Sequence, residues 1–156
     1  MQLTTLIFLI RDDEVLLAMK KRGFGEGNWN GTGGKPEGSE TILQTAIREC
    51  QEEINVTPHQ PQEVAILEFN FLDGSAIKTH VYITDKWEGE PAETEEMAPR
   101  WFKQNRLPFK DMWEDDKLWL PQVLRGQLVV GQFGFDDNNH MTSHQVRVVK
   151  SLVDKQ

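Results

Sequence analysis

The chain has a single cysteine, a single tyrosine, no internal repeat and no low-complexity linker. One thiol permits no internal disulfide, and Cys50 falls on an apolar stripe, which makes it a core residue rather than a nucleophile. Long apolar runs are missing too. Leu3 to Ile10 is far shorter than the ~20 residues a membrane helix needs and has no basic leader, so neither an anchor nor a signal is expected. Positive charge is scarce: 17 Lys and Arg stand against 25 Asp and Glu, a net charge of −8. Such a chain lacks the basic footprint of a general nucleic-acid binder. It can still take a small anion if metal ions bring the positive charge. These absences point to a cytoplasmic monomer with neither a membrane nor a nucleic-acid polymer as partner. At 156 residues, 38% apolar and 27% charged, one domain over positions 1–156 is expected, able to bury ~70% of its unfolded surface.

What is present is concentrated between Gly33 and Val56. A glycine loop, Gly33-Gly34-Lys35-Pro36-Glu37-Gly38, runs into a stretch of helical periodicity. Leu43, Ala46, Ile47, Cys50 and Ile54 form an apolar stripe, and Glu49, Glu52 and Glu53 a second stripe about a right angle away. Carboxylates spaced i, i+3 and i+4 repel one another. Arg48 projects to another side in this reading, so the triplet contains no cation. A hard divalent ion, which favours oxygen ligands, would relieve the repulsion. A solvated acidic face is the plainer alternative.

The remaining chain reads as strands around isolated helices. Leu3 to Ile10 and Val15 to Lys20 flank a polar turn, and Glu63 to Phe71 and Ile77 to Thr84 flank Asp73-Gly74-Ser75. Between the first pair and the Gly33 loop, Lys20 to Asn28 is a glycine-rich basic loop without the ending of a P-loop. Lys86 to Met97 is an acidic surface loop, and Arg100 to Lys103 a short strand. A second helix is expected over Glu114 to Arg125, kinked or broken at Pro121. Val129 to Phe135 and Gln145 to Val153 form a last strand pair. The pattern suggests an α/β fold with a mixed sheet packed between helices.

Gly34, five residues, Glu40, seven residues, Arg48-Glu49, Cys50, one residue, Glu52-Glu53, one residue and Asn55-Val56 closely resemble the Nudix box. Every charged position agrees. The departure is Asn55 where the family has glycine. Asparagine is the next best residue in the left-handed cap such a position requires, so the cap should survive. The resemblance implies the Nudix α/β/α sandwich and hydrolysis of a nucleoside diphosphate linked to a further group. It implies Mg²⁺, with Mn²⁺ able to substitute, held by Glu49, Glu52, Glu53, the Gly33 carbonyl and Glu96. It makes Arg48 the residue that orients Glu49, and Glu49 or Glu53 the general base.

Beyond the box, Ala18 to Gly25, Asn28 to Gly31 and Leu107 to Asp116 are similar to mammalian MutT-like members of that family, which clear oxidised purine nucleoside triphosphates. That similarity implies base contacts from Asn30, Trp113, Asp115 and Asp116. Thr5, Phe24, Phe69, Met97 and Trp119 would line the same pocket, with Lys20 nearby and Gly33 and Gly34 beside the phosphates. Thr32 and Ile77 depart from the pattern and bear on substrate preference. The residue chemistry agrees: a purine needs an aromatic face and a few converging hydrogen-bonding groups. Adjacent carboxylates near tryptophans do not both ionise easily, so Asp115 and Asp116 would offer one donor and one acceptor. The bland reading of this segment is a tryptophan-rich core beside a helix start, where aspartates are common. The substrate the resemblance implies is 8-oxo-dGTP, with 2-oxo-dATP beside it. The rivals are a methylated purine triphosphate, a dinucleotide polyphosphate or a nucleotide sugar, and a module that binds a nucleotide without turnover.

Overall fold

Alternation along two neighbouring strands decides the architecture. In the computed structural model, which describes residues 1–152, β1 (Gln2–Arg11) sends Ile7 and Leu9 to one face and Phe8 to the other. β2 (Glu14–Lys20) does the same with Leu16 and Ala18 against Val15 and Leu17. With both faces apolar, the sheet must be covered twice. Helix α1 (Ile42–Ile54) covers the first face with Ala46, Cys50 and Ile54. Helix α2 (Asp116–Leu124) covers the second with Trp119, Leu120 and Val123. The α/β/α sandwich expected from the sequence is present.

The other strands are β3 (Trp29–Asn30), β4 (Thr57–Pro58), β5 (Gln62–Phe71), β6 (Ala76–Thr84), β7 (Trp87–Glu88), β8 (Met97–Lys103), β9 (Leu128–Phe135) and β10 (Met141–Val149). The main sheet runs β10-β9-β5-β6-β1-β2-β3, with β8 also on β2. Its β1–β6 and β5–β9 pairs are parallel and the rest antiparallel, so the sheet is mixed. β4 and β7 form a separate small ribbon. Among the described residues, no helix is long and apolar enough to cross a membrane.

The opening of the sheet matters most for the site. β1 and β2 pair only at Ile10↔Val15 and Arg11↔Glu14 and then part. The segment Thr32 to Gly34 fills the gap beside β1, with Ile7 N–H donating to Thr32 O at 2.7 Å and Thr5 N–H to Gly34 O at 3.0 Å. A Cβ at Gly33 would run into the Thr5 carbonyl, so only glycine permits this approach.

Three sequence expectations shift. The second helix starts at Asp116 and runs unbroken through Pro121, held by the burial of Trp119, Leu120 and Val123 on either side. The last strand ends at Val149; Val153, placed in it from the sequence, lies outside the described residues. On α1, Leu43 is 40% exposed and Ile47 only half-buried, while Thr45 and Glu53 are buried. The helix is rolled so that its acidic edge faces the strands.

Candidate active site

Helix α1 is fixed at both ends by its own sequence. Thr41 Oγ1 accepts from Gln44 N–H at 3.1 Å, and Gln44 Oε1 accepts from Thr41 N–H at 2.9 Å, a complete capping box. At the far end Asn55 takes the left-handed conformation (φ 63°), with its N–H on Gln51 O. The cap survives the replacement of glycine.

Between these ends Arg48 sits at the centre of the acidic cluster, contrary to the expectation that it points away. Its Nε and Nη2 donate to Glu40 at 2.6 and 3.0 Å. Nη1 donates to Glu49 Oε1 at 2.7 Å and to Glu52 Oε2 at 3.2 Å. The contact with Glu49 Oε1 fixes the direction of that carboxylate. A long side chain at i can bend along the helix to i+4, which the simple angular reading of the stripe missed. The guanidinium holds the Glu40 carboxyl down to about 2, chiefly through their hydrogen bond.

Glu53 is 5% exposed and faces the gap between β1 and β2. Burial drives its carboxyl up to about 8, the charges of Glu49 and Glu96 add to this, and the Gly33 N–H opposes it. That N–H donates to Glu53 Oε1 at 2.9 Å. Glu49 is also pushed up, first by burial, with Arg48 pulling the other way. A Cβ on Gly34 would strike the Glu49 carboxylate, so the second glycine makes room for it.

Among the described residues, no three His, Cys, Asp or Glu side chains are gathered closely enough to form a ready metal site. The expected closed cluster of Glu49, Glu52, Glu53 and Glu96 is therefore not preformed. Arg48 draws Glu49 and Glu52 to itself, and Gly33 holds Glu53. The donor chemistry still fits a hard divalent ion, because every candidate ligand is an oxygen and two of the carboxylates resist ionising without one.

A cavity of about 450 Å³ begins at this edge, where Gly33, Gly34, Lys35 and Glu53 line it, and ends at Trp113, Asp115 and Asp116. Thr5, Lys20, Phe24, Asn30, Phe69 and Met97 lie along the walls between, as does Ile77. The size suits a small organic ligand. Trp113 stacks on Phe24 at 5.1 Å and meets Phe135 edge-on at 6.0 Å. Asp115 occupies the helix-cap position of α2 but makes no capping bond with its side chain. Its Oδ2 accepts instead from Trp119 Nε1 at 2.8 Å. Asp116 Oδ2 is buried without a hydrogen-bond partner. Burial and the neighbouring Asp115 push Asp116 far above the usual carboxylate range; Asp115 is raised less, because the Trp119 N–H favours its charge.

Of the expected site residues, Arg48, Glu49, Glu52, Glu96 and Trp119 do not line the cavity. Trp119 is fully buried behind it, edge-on to Phe8 at 6.1 Å, and reaches the pocket only through Asp115. Glu52 is on the exposed side of α1. Conversely, Phe71, Thr79 and Phe135 line the cavity and were missed. Alternation could have found them: Phe71 follows Phe69 by two on β5, Thr79 follows Ile77 on β6, and Phe71 pairs with Phe135.

The NUDIX domain family matches residues 1–123. The chain is 40% identical over 152 residues to an oxidized purine nucleoside triphosphate hydrolase from Danio rerio, covering 97% of each. It is 39% identical to the protein of the same name from Mus musculus, again covering 97% of both. Its structure is similar to the crystal structure of a MutT protein from Bacillus halodurans, with a TM-score of 0.84 at 28% identity over 94% of this chain and 97% of that one. The box that the sequence carries, the sandwich that holds it and relatives matched from end to end agree that the chain belongs to the Nudix hydrolase family.

Proposed function

We propose that this chain is a Mg²⁺-dependent diphosphatase acting on oxidised purine (deoxy)nucleoside triphosphates, 8-oxo-dGTP and with it 2-oxo-dATP, releasing pyrophosphate and the monophosphate. It would thereby clear damaged nucleotides from the cytoplasmic pool before a polymerase uses them. The observation that carries the reading is one cavity with the box carboxylate Glu53 at one end and Asp116, whose buried Oδ2 has no hydrogen-bond partner, at the other. The two relatives named as oxidized purine nucleoside triphosphate hydrolases support the substrate class.

Each end has its task. Lys20 and Lys35 line the cavity on the side of Glu53 and bring the positive charge that a triphosphate requires. Nudix hydrolases use divalent metals, and Glu49, Glu53, Glu52, the Gly33 carbonyl and Glu96 are the groups that would hold Mg²⁺ or Mn²⁺ here. Bound there, the ion neutralises charge that develops on the phosphate oxygens. Glu53, fixed by the Gly33 N–H, and Glu49, fixed by Arg48, are the carboxylates placed to take a proton from the attacking water. At the other end Trp113 offers its face to the base. Asp116 holds the proton and donates, Asp115 accepts, and the Asn30 amide can do either.

The test is pyrophosphate against phosphate release from 8-oxo-dGTP and dGTP in parallel, with Mg²⁺ and with a chelator. Metal-dependent pyrophosphate release favouring the oxidised nucleotide is expected. Metal-dependent turnover without that preference would keep the box chemistry and discard the base-reading role of Trp113, Asp115 and Asp116. No turnover of either nucleotide would point to another Nudix substrate.

A further inference from the structure

A helix leaves its last carbonyls without partners inside the helix, and something must supply them. At the end of α1 the Asn55 N–H takes Gln51 O. The next two partners come from far along the chain. Thr94 Oγ1 donates to Glu53 O at 2.7 Å, and Ala92 N–H donates to Ile54 O at 3.0 Å. The acidic loop between β7 and β8 is therefore fastened to the very residue whose side chain enters the cavity.

The same hydroxyl has a second set of bonds. Thr94 Oγ1 accepts from Glu96 N–H at 3.2 Å and from Met97 N–H at 3.3 Å, while Thr94 N–H donates to Met97 O at 2.9 Å. One oxygen thus ties the backbone of Glu53 to the backbone of Glu96. Lys21 closes the loop from its other side. Its Nζ donates to Thr94 O at 2.9 Å and pairs with Glu93, and its N–H donates to Glu96 O at 2.9 Å.

We propose that Thr94 is a positioning residue that sets the Glu96 carboxylate against Glu53, so that the loop and the helix act as one ligand set for the divalent ion. Met97 at the end of the loop shares a buried cluster with Ala46, Cys50 and Ile54 of the helix, but the exposed Glu96 before it has no packing of its own to aim it. Groups that hold metal ligands in place typically affect metal affinity or activity by about 10–100-fold. The inference rests on the metal reading above but not on the identity of the nucleotide.

The test compares wild type with Thr94→Val, which keeps the shape and removes the hydroxyl, and with Thr94→Ser, which restores it. Mn²⁺ binding is titrated without nucleotide, and amide hydrogen exchange at Glu96 and Met97 is followed in chelator. Thr94→Val should bind Mn²⁺ about tenfold more weakly and exchange faster at both amides, and Thr94→Ser should recover both. If Thr94→Val does not fold, Thr94→Ser alone decides: wild-type-like binding and protection support the anchor, and a tenfold loss despite the retained hydroxyl overturns it. Unchanged Mn²⁺ affinity in folded Thr94→Val, or unchanged exchange at Glu96 and Met97, also overturns it. Wild-type protein that took up no Mn²⁺ would sink the metal reading and this role together. Failure on 8-oxo-dGTP with normal Mn²⁺ uptake would touch only the substrate assignment.

Discussion

At one end of the cavity Glu53 accepts the Gly33 N–H, with Glu49 beside it on the Arg48 guanidinium; at the other, Asp115 and Asp116 lie against tryptophans and each other. Glu53, Asp115 and Asp116 are buried and Glu49 partly so, and all four resist ionising, first because burial penalises the charge. They differ in what completes them. At the helix α1 end the positive partner is already placed beside Glu49, and further positive charge is what the site still lacks. At the α2 end, among the described residues, no cationic side chain pairs with either aspartate. Asp115 accepts from an indole N–H, while burial and the neighbouring Asp115 favour the neutral form of Asp116. In the proposed function the same side-chain group would hold a metal ion in one place and read a base in the other. Surroundings, not residue type, separate the two roles.

The largest effect should come from removing the charge at the metal end without disturbing its bond. Glu53→Gln keeps an oxygen for the Gly33 N–H, so the loop should stay in place. We expect kcat for pyrophosphate release to fall by about 10³-fold, with KM changed little, as for loss of a general base or metal ligand. A loss below about tenfold would remove Glu53 from the chemistry. Arg48→Lys should follow. One ammonium cannot span Glu40, Glu49 and Glu52 as the guanidinium does. Activity should drop about 10–100-fold and recover in part at high Mg²⁺, measured as a Mg²⁺ titration of the rate. No Mg²⁺ dependence of the defect would mean that Arg48 acts only on the fold.

How much of this contrast could be read in the sequence differs between the two ends. The metal end was legible because its residues are local. Glu49, Glu52 and Glu53 lie within one helical turn, and the capping signals at Thr41 and Asn55 mark the helix that holds them. What could not be read there was the roll of the helix, which is set by strands distant in sequence and buried Glu53 in place of Leu43. The reach of Arg48 was hidden for a similar reason: a spacing gives the direction of a Cβ, not where the rest of a long side chain goes. The base end is assembled from β1, β3, β5, β6, β9 and the start of α2, so spacing says little about it. Family resemblance supplied Trp113 and the aspartates. It also placed Trp119 on the wall, whereas the tryptophan faces the core on the opposite side of Asp115. Phe135 and Thr79 had only their strand alternation to signal them.

A smaller effect should come from the base end. Asp116→Asn leaves a neutral side chain of the same shape, so the fold should persist. Its amide cannot pass a proton to Asp115, and preference among oxidised purines should shift by about tenfold, the worth of roughly one hydrogen bond. Unchanged preference, measured as kcat/KM on 8-oxo-dGTP against 2-oxo-dATP, would end the shared-proton account. Stability carries a second signature. Asp116 is raised well above 3.8 in the folded chain, so above that pH the unfolded chain gives up its proton first. Wild-type stability should therefore fall as pH rises past about 3.8, by the linkage between proton binding and folding. Asparagine does not titrate, so denaturation curves over pH should show the variant gaining on wild type in the same window.

The smallest effect belongs to Asn55→Gly, which restores the residue the family box carries. Two terms oppose each other there. Glycine takes the left-handed conformation at φ 63° without the strain a side chain brings. It also loosens the unfolded chain, which costs stability by a similar amount. Both terms are a few tenths to about 1 kcal/mol, so the melting temperature should move by no more than a degree or two. Activity should not change, because the cap bond from the Asn55 N–H to Gln51 O is a backbone bond and Glu53 is held separately, by the Gly33 N–H at its carboxylate and by Thr94 at its carbonyl. A large loss of turnover in this variant would show that the Asn55 side chain itself helps to aim the metal end. The cap would then belong to the site and not merely to the helix.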